Sequence, residues 1–491
     1  MAILFVPNDP LARADAPARQ QPPRPDPPAG RAGFAYGDAP AETPYPVGSA
    51  GFLFWQCREA ALAALETFDF LAKQPLASWQ GGKARLALIP NAGRRLGAQY
   101  DRRALSFYEW STPPKTTFSG ASTDAVAHEV GHAVLDALRP DLWDSAYTET
   151  AAFHEAFADC FAILVGLSDF GTRRALLRER SLRRPNFLEA VAEDVADGVR
   201  REEDERHPHS KPRRALNPLV WRIPIRLPRS GPPGVLSSEP HSFGRVFTGC
   251  FYDTLCNVFA GLPGADEEAL LEAATIAGRL LVASVGGPPE VARFFQAVGR
   301  AMMLTDAAES GGRHRAAIRD AFQAHGVALG STVMLAPTAA LEGAAPRLAG
   351  GAGARSLAPE TTRDLLRRMR APRDAGLGVR RLEIAGERVL CAVHQRFVEL
   401  GGLDRRLRGV VAAAAESALV GSCGESAELL GPLPEPAATA GEAKAFVETL
   451  LAHRGIRLAG EKWTAFPPTH AVRRRGGRKR LARVRFSCCG T

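Results

Sequence analysis

At 491 residues the chain is longer than one hydrophobic core usually organises, so two or three domains are expected. With 45% hydrophobic and 23% charged residues it lies outside the composition range of disordered chains. The net charge of +9 is concentrated, because eight arginines and lysines fall in the acid-free stretch 473–485; the rest is nearly neutral, and any attraction for nucleic acid or anionic surfaces belongs to that tail.

Residues 7–47 are dense in Pro, Ala, Arg and Asp with little apolar periodicity, and read as a disordered or extended arm. The apolar stretch before Pro7 is too short for a signal peptide, and no segment stays apolar over the roughly 18 residues that mark a membrane span. The eight cysteines lack CxxC spacing, which suits a reducing compartment, so a cytoplasmic protein is expected. An amphipathic helix is predicted over 57–73, then strands over 84–89 and 104–110. Ser122, Thr123 and Asp124 are good caps for a helix over 125–138 that stops before Pro140. A second helix, over 148–167, is apolar on most faces and reads as buried.

Residues 187–205 are amphipathic and charged, and 207–214 read as a surface connection. Helices are then predicted over 246–258, 267–285, 289–304 and 313–325, making a helical lobe. The Ala/Gly/Pro-rich span 336–359 reads as a linker, and hairpin-like runs at 381–384 and 389–393 suggest a small C-terminal α+β module. The expected organisation is an arm over 1–50, a catalytic domain over 51–330, a linker over 331–359 and a module with a basic tail over 360–491.

The central signal is His128-Glu129-Val130-Gly131-His132, an HExxH on a predicted helix, whose two imidazoles at i and i+4 project from one face. That spacing suits two ligands of one zinc ion, which in catalytic sites takes three protein ligands and keeps a position for water. On the next helix Glu155 and Asp159 are again i,i+4: Glu155 can complete the ligand set, and Asp159 can accept the spare ring N–H of a ligand histidine. Glu129 can take a proton from a metal-bound water.

The stretch 124–134 resembles the active-site helix of thermolysin-like metallopeptidases, and Glu155-Ala156-Phe157-Ala158-Asp159 is similar to that family's glutamate-ligand motif. The resemblance covers roughly 84–327 and implies an α+β zincin fold, with a small sheet and active-site helix followed by a helical lobe. It implies Zn²⁺ as cofactor and a peptide or protein as substrate. Residues 100–108 resemble the strand whose edge pairs with extended substrates in the family. Glu239-Pro240-His241 looks like the start of the helix carrying the third functional histidine, so His241 would donate to the oxyanion. Tyr147 is a further candidate oxyanion donor, and Arg213 or Arg214 a candidate substrate-binding arginine. Gly166 stands where the family has a calcium-ligating acid, so calcium is not expected. No acid matches the usual partner of the third histidine.

Blander readings are assigned elsewhere: His154 as a packed histidine, His207 and His209 as a solvated loop, Cys488 and Cys489 as ordinary thiols. The basic tail reads equally as a solvated hairpin or as a surface for an anionic partner. The expected function is zinc-dependent endopeptidase activity. Its alternatives are a catalytically weak zincin-fold binding module and an anionic-surface or nucleic-acid binder acting through the tail. Oligomeric state is unreadable from the sequence.

Overall fold

The computed structural model describes residues 2–487 apart from 114, 179–181, 203–212, 233, 331–358, 373–374, 385–386, 424–425, 430–434 and 459–466. The fold is mixed α+β. The expected 207–209 loop, most of the expected linker, and Cys488 and Cys489 lie outside the described residues.

Short strands β1 (Ile3–Phe5), β2 (Arg19–Gln21) and β3 (Gly33–Ala35) precede the long helix α1 (Ala50–Leu71). The N-terminal arm, expected to be disordered or extended, is extended here, because this Pro-rich segment is tied to polar side chains buried along α1. Gln56 pairs with both backbone groups of Val6, at 2.8 and 3.0 Å, as a neighbouring strand would. Glu59 accepts the backbone N–H of Arg24 at 3.0 Å, and Arg58 reaches Asp26 at 3.0 Å. Between its short pairings, β2 with β1 and β3 with β4, the extended chain thus has donors and acceptors satisfied by a helix some thirty to fifty residues away.

Strands β4 (Arg85–Ile89), β5 (Ala98–Tyr100) and β6 (Ala104–Phe107) follow, then the hairpin β7 (Glu109–Thr112) with β8 (Lys115–Phe118). The strand expected over 104–110 is therefore two strands in different sheets. Helix α2 (Thr123–Leu138) is capped by Ser122, whose Oγ accepts from Ala125 N. Beyond it lies α3 (Thr148–Ser168), buried along nearly its whole length. By length and composition α3 could cross a membrane, but its apolar window is entirely buried within the fold.

The helical lobe comprises α4 (Phe170–Arg178), α5 (Glu193–Glu202), α6 (Pro240–Gly261), α7 (Glu267–Ser284), α8 (Phe294–Ser310) and α9 (Arg315–Ala324), with the small pair β9 (Ala190–Val191) and β10 (Arg213–Arg214). Phe153, Phe157, Phe161, Phe243, Phe247 and Phe295 pack α3 against α6 and α8 in the main core.

After the helix Pro359–Arg368 come β11 (Leu377–Ile384), β12 (Glu387–Glu399), β13 (Val410–Cys423) and β14 (Ser426–Leu429), then the helix Pro436–Ala452. The chain closes with β15 (Ile456–Arg457), β16 (His470–Arg475), β17 (Arg478–Arg483) and β18 (Phe486–Ser487). Strands β11 to β17 form one seven-stranded sheet, whose core joins Phe446, Leu407 and Val410 to Tyr147 and Ala151 at the start of α3. The basic tail is the β16/β17 hairpin, turning at Gly476 and Gly477, both at positive φ as a two-residue hairpin turn requires.

The last strand leaves that sheet. It completes the N-terminal one, in the order β18-β5-β6-β4-β3, pairing antiparallel with β5.

Candidate metal centre

Helix α2 carries His128, Glu129 and His132, all fully buried. The i,i+4 spacing holds the two imidazoles one turn apart, with ring centroids separated by 4.7 Å and planes nearly perpendicular. Helix α3 crosses α2 at Gly131, where an added Cβ would lie only 2.9 Å from Ala158 Cα. That close approach brings Glu155 to the histidines, its Oε2 standing 3.5 Å from each Nε2.

The three groups offer ligand atoms within 4.8 Å of one another. Neither His128 Nε2 nor His132 Nε2 has a hydrogen-bond partner, although both are buried. Bare imidazole nitrogens aimed at one point beside a carboxylate are costly unless a cation sits among them, so the donor set fits a metal ion.

The far sides of the rings are held as ligands require. His128 Nδ1 lies 2.8 Å from Asp159 Oδ1, and Asp159 is gripped in turn by Arg213 at 2.9 Å. His132 Nδ1 meets His154 Nδ1 at 3.1 Å. His241 sits in the first turn of α6, where Pro240 starts the helix and Glu239 caps it by accepting from Ser242 N at 2.8 Å. The same carboxylate binds His241 Nδ1 at 2.7 Å, while His241 Nε2 stands 3.0 Å from Glu155 Oε2 and donates to the Ser487 carbonyl at 3.0 Å.

These contacts set the charges of the metal-free protein. Burial works against a proton on His128, but Asp159 at Nδ1 and the Glu155 carboxylate facing Nε2 outweigh it and push the imidazole up to about 10. Burial pulls His132 down to about 4 despite Glu155. His241 is held well above the usual histidine range, since Glu155 and Glu239 together overcome its burial. Glu155 is held well below the carboxylate range against burial by His241 and His132, and Asp159 down to about 2 by Arg213 and His128. Glu129 lies in the same buried turn, close enough for its charge to act on Arg95.

His128, His132, Glu155, Asp159 and His241 therefore converge. Tyr147 does not join them: its hydroxyl donates to the Ala415 carbonyl at 2.8 Å, because the C-terminal sheet packs over the start of α3. Arg213 is engaged with Asp159, and Arg214 pairs with Glu189. The strand expected to offer its edge to a substrate is also revised. β6 is interior to its sheet, and the free side of β5 is covered by β18.

Four residues at the site were not anticipated. His154 supports His132, Glu239 supports His241, and Phe486 and Ser487 arrive from the far end of the chain. For Glu239 a signal existed in its place before Pro240, where a helix cap is expected; for Phe486 and Ser487 there was none. Comparison with the models of known protein families matches none of them to this chain, and no curated protein matches it.

Proposed function

We propose that the chain is a zinc-dependent endopeptidase of the thermolysin-like kind. The observation that carries this reading is the convergence of two bare imidazole nitrogens and one carboxylate oxygen in a buried turn that also contains Glu129. His128, His132 and Glu155 would hold the ion, a donor set suited to catalytic zinc. When bound, zinc supplies Lewis acidity and lowers the pKa of a water. Glu129 takes the proton from the attacking water and returns it to the leaving amine. His241, protonated at both nitrogens, donates from Nε2 to the carbonyl oxygen on which charge develops.

Glu129→Gln tests the reading. The variant is expected to keep one equivalent of zinc and its fold, and to lose at least about 100-fold in cleavage of casein. A chelator should abolish cleavage by the parent protein. Full turnover in Glu129→Gln would sink this mechanism.

A second reading is favoured by a groove of about 470 Å³ lined by Arg103, Arg473, Arg474 and Arg485. We propose that it attracts an anionic partner. Binding to heparin that weakens with salt and is lost in Arg473→Glu/Arg474→Glu would support it, and binding unaffected by those changes would refute it.

A further inference from the structure

β18 is two residues long, and both of its residues lie against the candidate metal centre. Phe486 is 1% exposed. Its ring stacks on His132 at 4.5 Å and on His154 at 3.9 Å, and meets Trp143 edge-on at 5.2 Å. Ser487 offers its carbonyl to His241 Nε2 at 3.0 Å, the nitrogen that also stands 3.0 Å from Glu155 Oε2. The main chain meanwhile pairs antiparallel with β5, setting Phe486 opposite Tyr100 and Ser487 opposite Gln99. Pairing along a sheet edge, an aromatic ring in a pocket and a carbonyl on a buried donor are the means by which a groove holds an extended peptide.

The same contacts close the site. His128, Glu129 and His132 are wholly buried, and Glu155 and His241 nearly so, so a peptide reaches them only after a covering segment withdraws. β18 can withdraw by itself, because the chain before it is clamped. The Thr469 carbonyl accepts from Val484 N at 2.8 Å and from Arg485 N at 3.4 Å, and Trp143 Nε1 donates to the Arg483 carbonyl at 3.1 Å. Release of β18 therefore breaks one two-residue pairing and leaves the β16/β17 hairpin in place, a local opening rather than an unfolding. It would uncover the edge of β5, the pocket that holds Phe486 and the Nε2 of His241 together. A strand added only to finish the sheet would need its pairing with β5, but neither a ring on a candidate ligand nor a carbonyl on His241.

We propose that β18 is a built-in competitive inhibitor, which fills the groove as a peptide would and leaves before one enters. The ligand that replaces it is an extended peptide carrying an aromatic side chain where Phe486 sits. The proposal rests on the peptidase reading above. Two residues separate β18 from β17, so the inhibitor is held at the high effective concentration of a short tether, and a free peptide competes well only when β18 is weakened.

The experiment compares the full-length parent with Phe486→Ala, each holding one equivalent of Zn²⁺. Phe486→Ala is expected to cut casein at least about tenfold faster, read as kcat/KM. A capped peptide with the sequence of residues 483–487 should inhibit that variant competitively, at least about tenfold more tightly than the same peptide with alanine in place of phenylalanine. One measurement needs no variant: in the metal-free parent, the β5 amides that face β18 should exchange hydrogen at least about tenfold faster than those that face β6, because they open without unfolding. Casein cut equally fast by parent and folded, zinc-loaded Phe486→Ala would overturn the proposal and leave the peptidase reading standing, as would inhibition indifferent to the phenylalanine. Equal exchange on the two sides of β5 would overturn it even if Phe486→Ala does not fold. If neither zinc-loaded protein cuts casein, both readings fail.

Discussion

His132 Nδ1 and His154 Nδ1 face each other at 3.1 Å between two buried helices, and burial keeps both rings from protonating at neutral pH. One nitrogen must donate and the other accept. His132 can offer Nε2 to a metal only if its proton is on Nδ1, so His132 donates and His154 accepts. His154 then carries its own proton on Nε2. That tautomer leaves His132 Nε2 able to take a metal and His154 Nε2 buried without a partner. His154→Phe keeps an aromatic ring against Phe486 but removes the acceptor. Zinc affinity, measured by competition with a chelator, should fall about 10- to 100-fold with the fold retained. Unchanged affinity would show that His154 does not set the tautomer of His132.

Asp159 has two duties that variants can separate. It accepts from His128 Nδ1 and it neutralises Arg213, whose Nε and Nη2 both reach it. Asp159→Asn should cost about 3–5 kcal/mol in the metal-free protein, because it leaves a mostly buried guanidinium without its carboxylate. Zinc affinity should fall about 10- to 100-fold as well. Adding Arg213→Met should recover part of the stability, read from the denaturation midpoint, and none of the affinity. Recovery of both together would mean that Asp159 acts on the metal only through the fold.

The proton on His128 competes with metal. Its imidazole is pushed up to about 10 in the metal-free protein by Asp159 and Glu155, against an ordinary value of 6.5. A histidine raised in the folded state stabilises that state fully below pH 6.5 or so, and the contribution is lost as pH rises through about 10. Metal binding needs the deprotonated ring, so loading should release about one proton near neutral pH. Zinc affinity should therefore rise up to about tenfold per pH unit between roughly 6.5 and 9, while the metal-free protein loses stability over the same range. Calorimetric titration in two buffers of different ionisation enthalpy measures the released proton directly, and a result of zero would contradict the His128–Asp159 assignment.

What could be read in advance follows from the range of the interactions. Helices α2 and α3 were legible because Ser122 caps the first and their ligand-type residues repeat at helical spacing. His154 reads in the sequence as a packed histidine, and its meeting with the back of His132 depends on the crossing of two helices, which periodicity does not encode. The arm over 7–47 gave no pattern of its own, since its partners are Gln56, Arg58 and Glu59 on α1. Tyr147 lost its expected role to a sheet more than two hundred residues later. Phe486 and Ser487 follow directly on the basic run 473–485, with no apolar periodicity around them to mark a strand.

The central glycine of the HExxH motif supplies a last test of the geometry. A Cβ on Gly131 would meet Ala158 Cα at 2.9 Å and Phe161 Cβ at 3.3 Å, so α2 and α3 would have to separate. Alanine is the better helix former by about 1 kcal/mol, but overpacking at a backbone contact costs about 1–3 kcal/mol, and at 2.9 Å the second effect should win. Gly131→Ala is then expected to destabilise the protein by about 1 kcal/mol or more. Zinc affinity should fall at least tenfold, because the same separation draws Glu155 from the two imidazoles. Gly261→Ala, at the end of α6 with nothing within 4 Å of the new Cβ, is the control and should be neutral or stabilising. Equal behaviour of the two variants in denaturation and zinc titration would mean that contact at Gly131 does not hold the ligand set together.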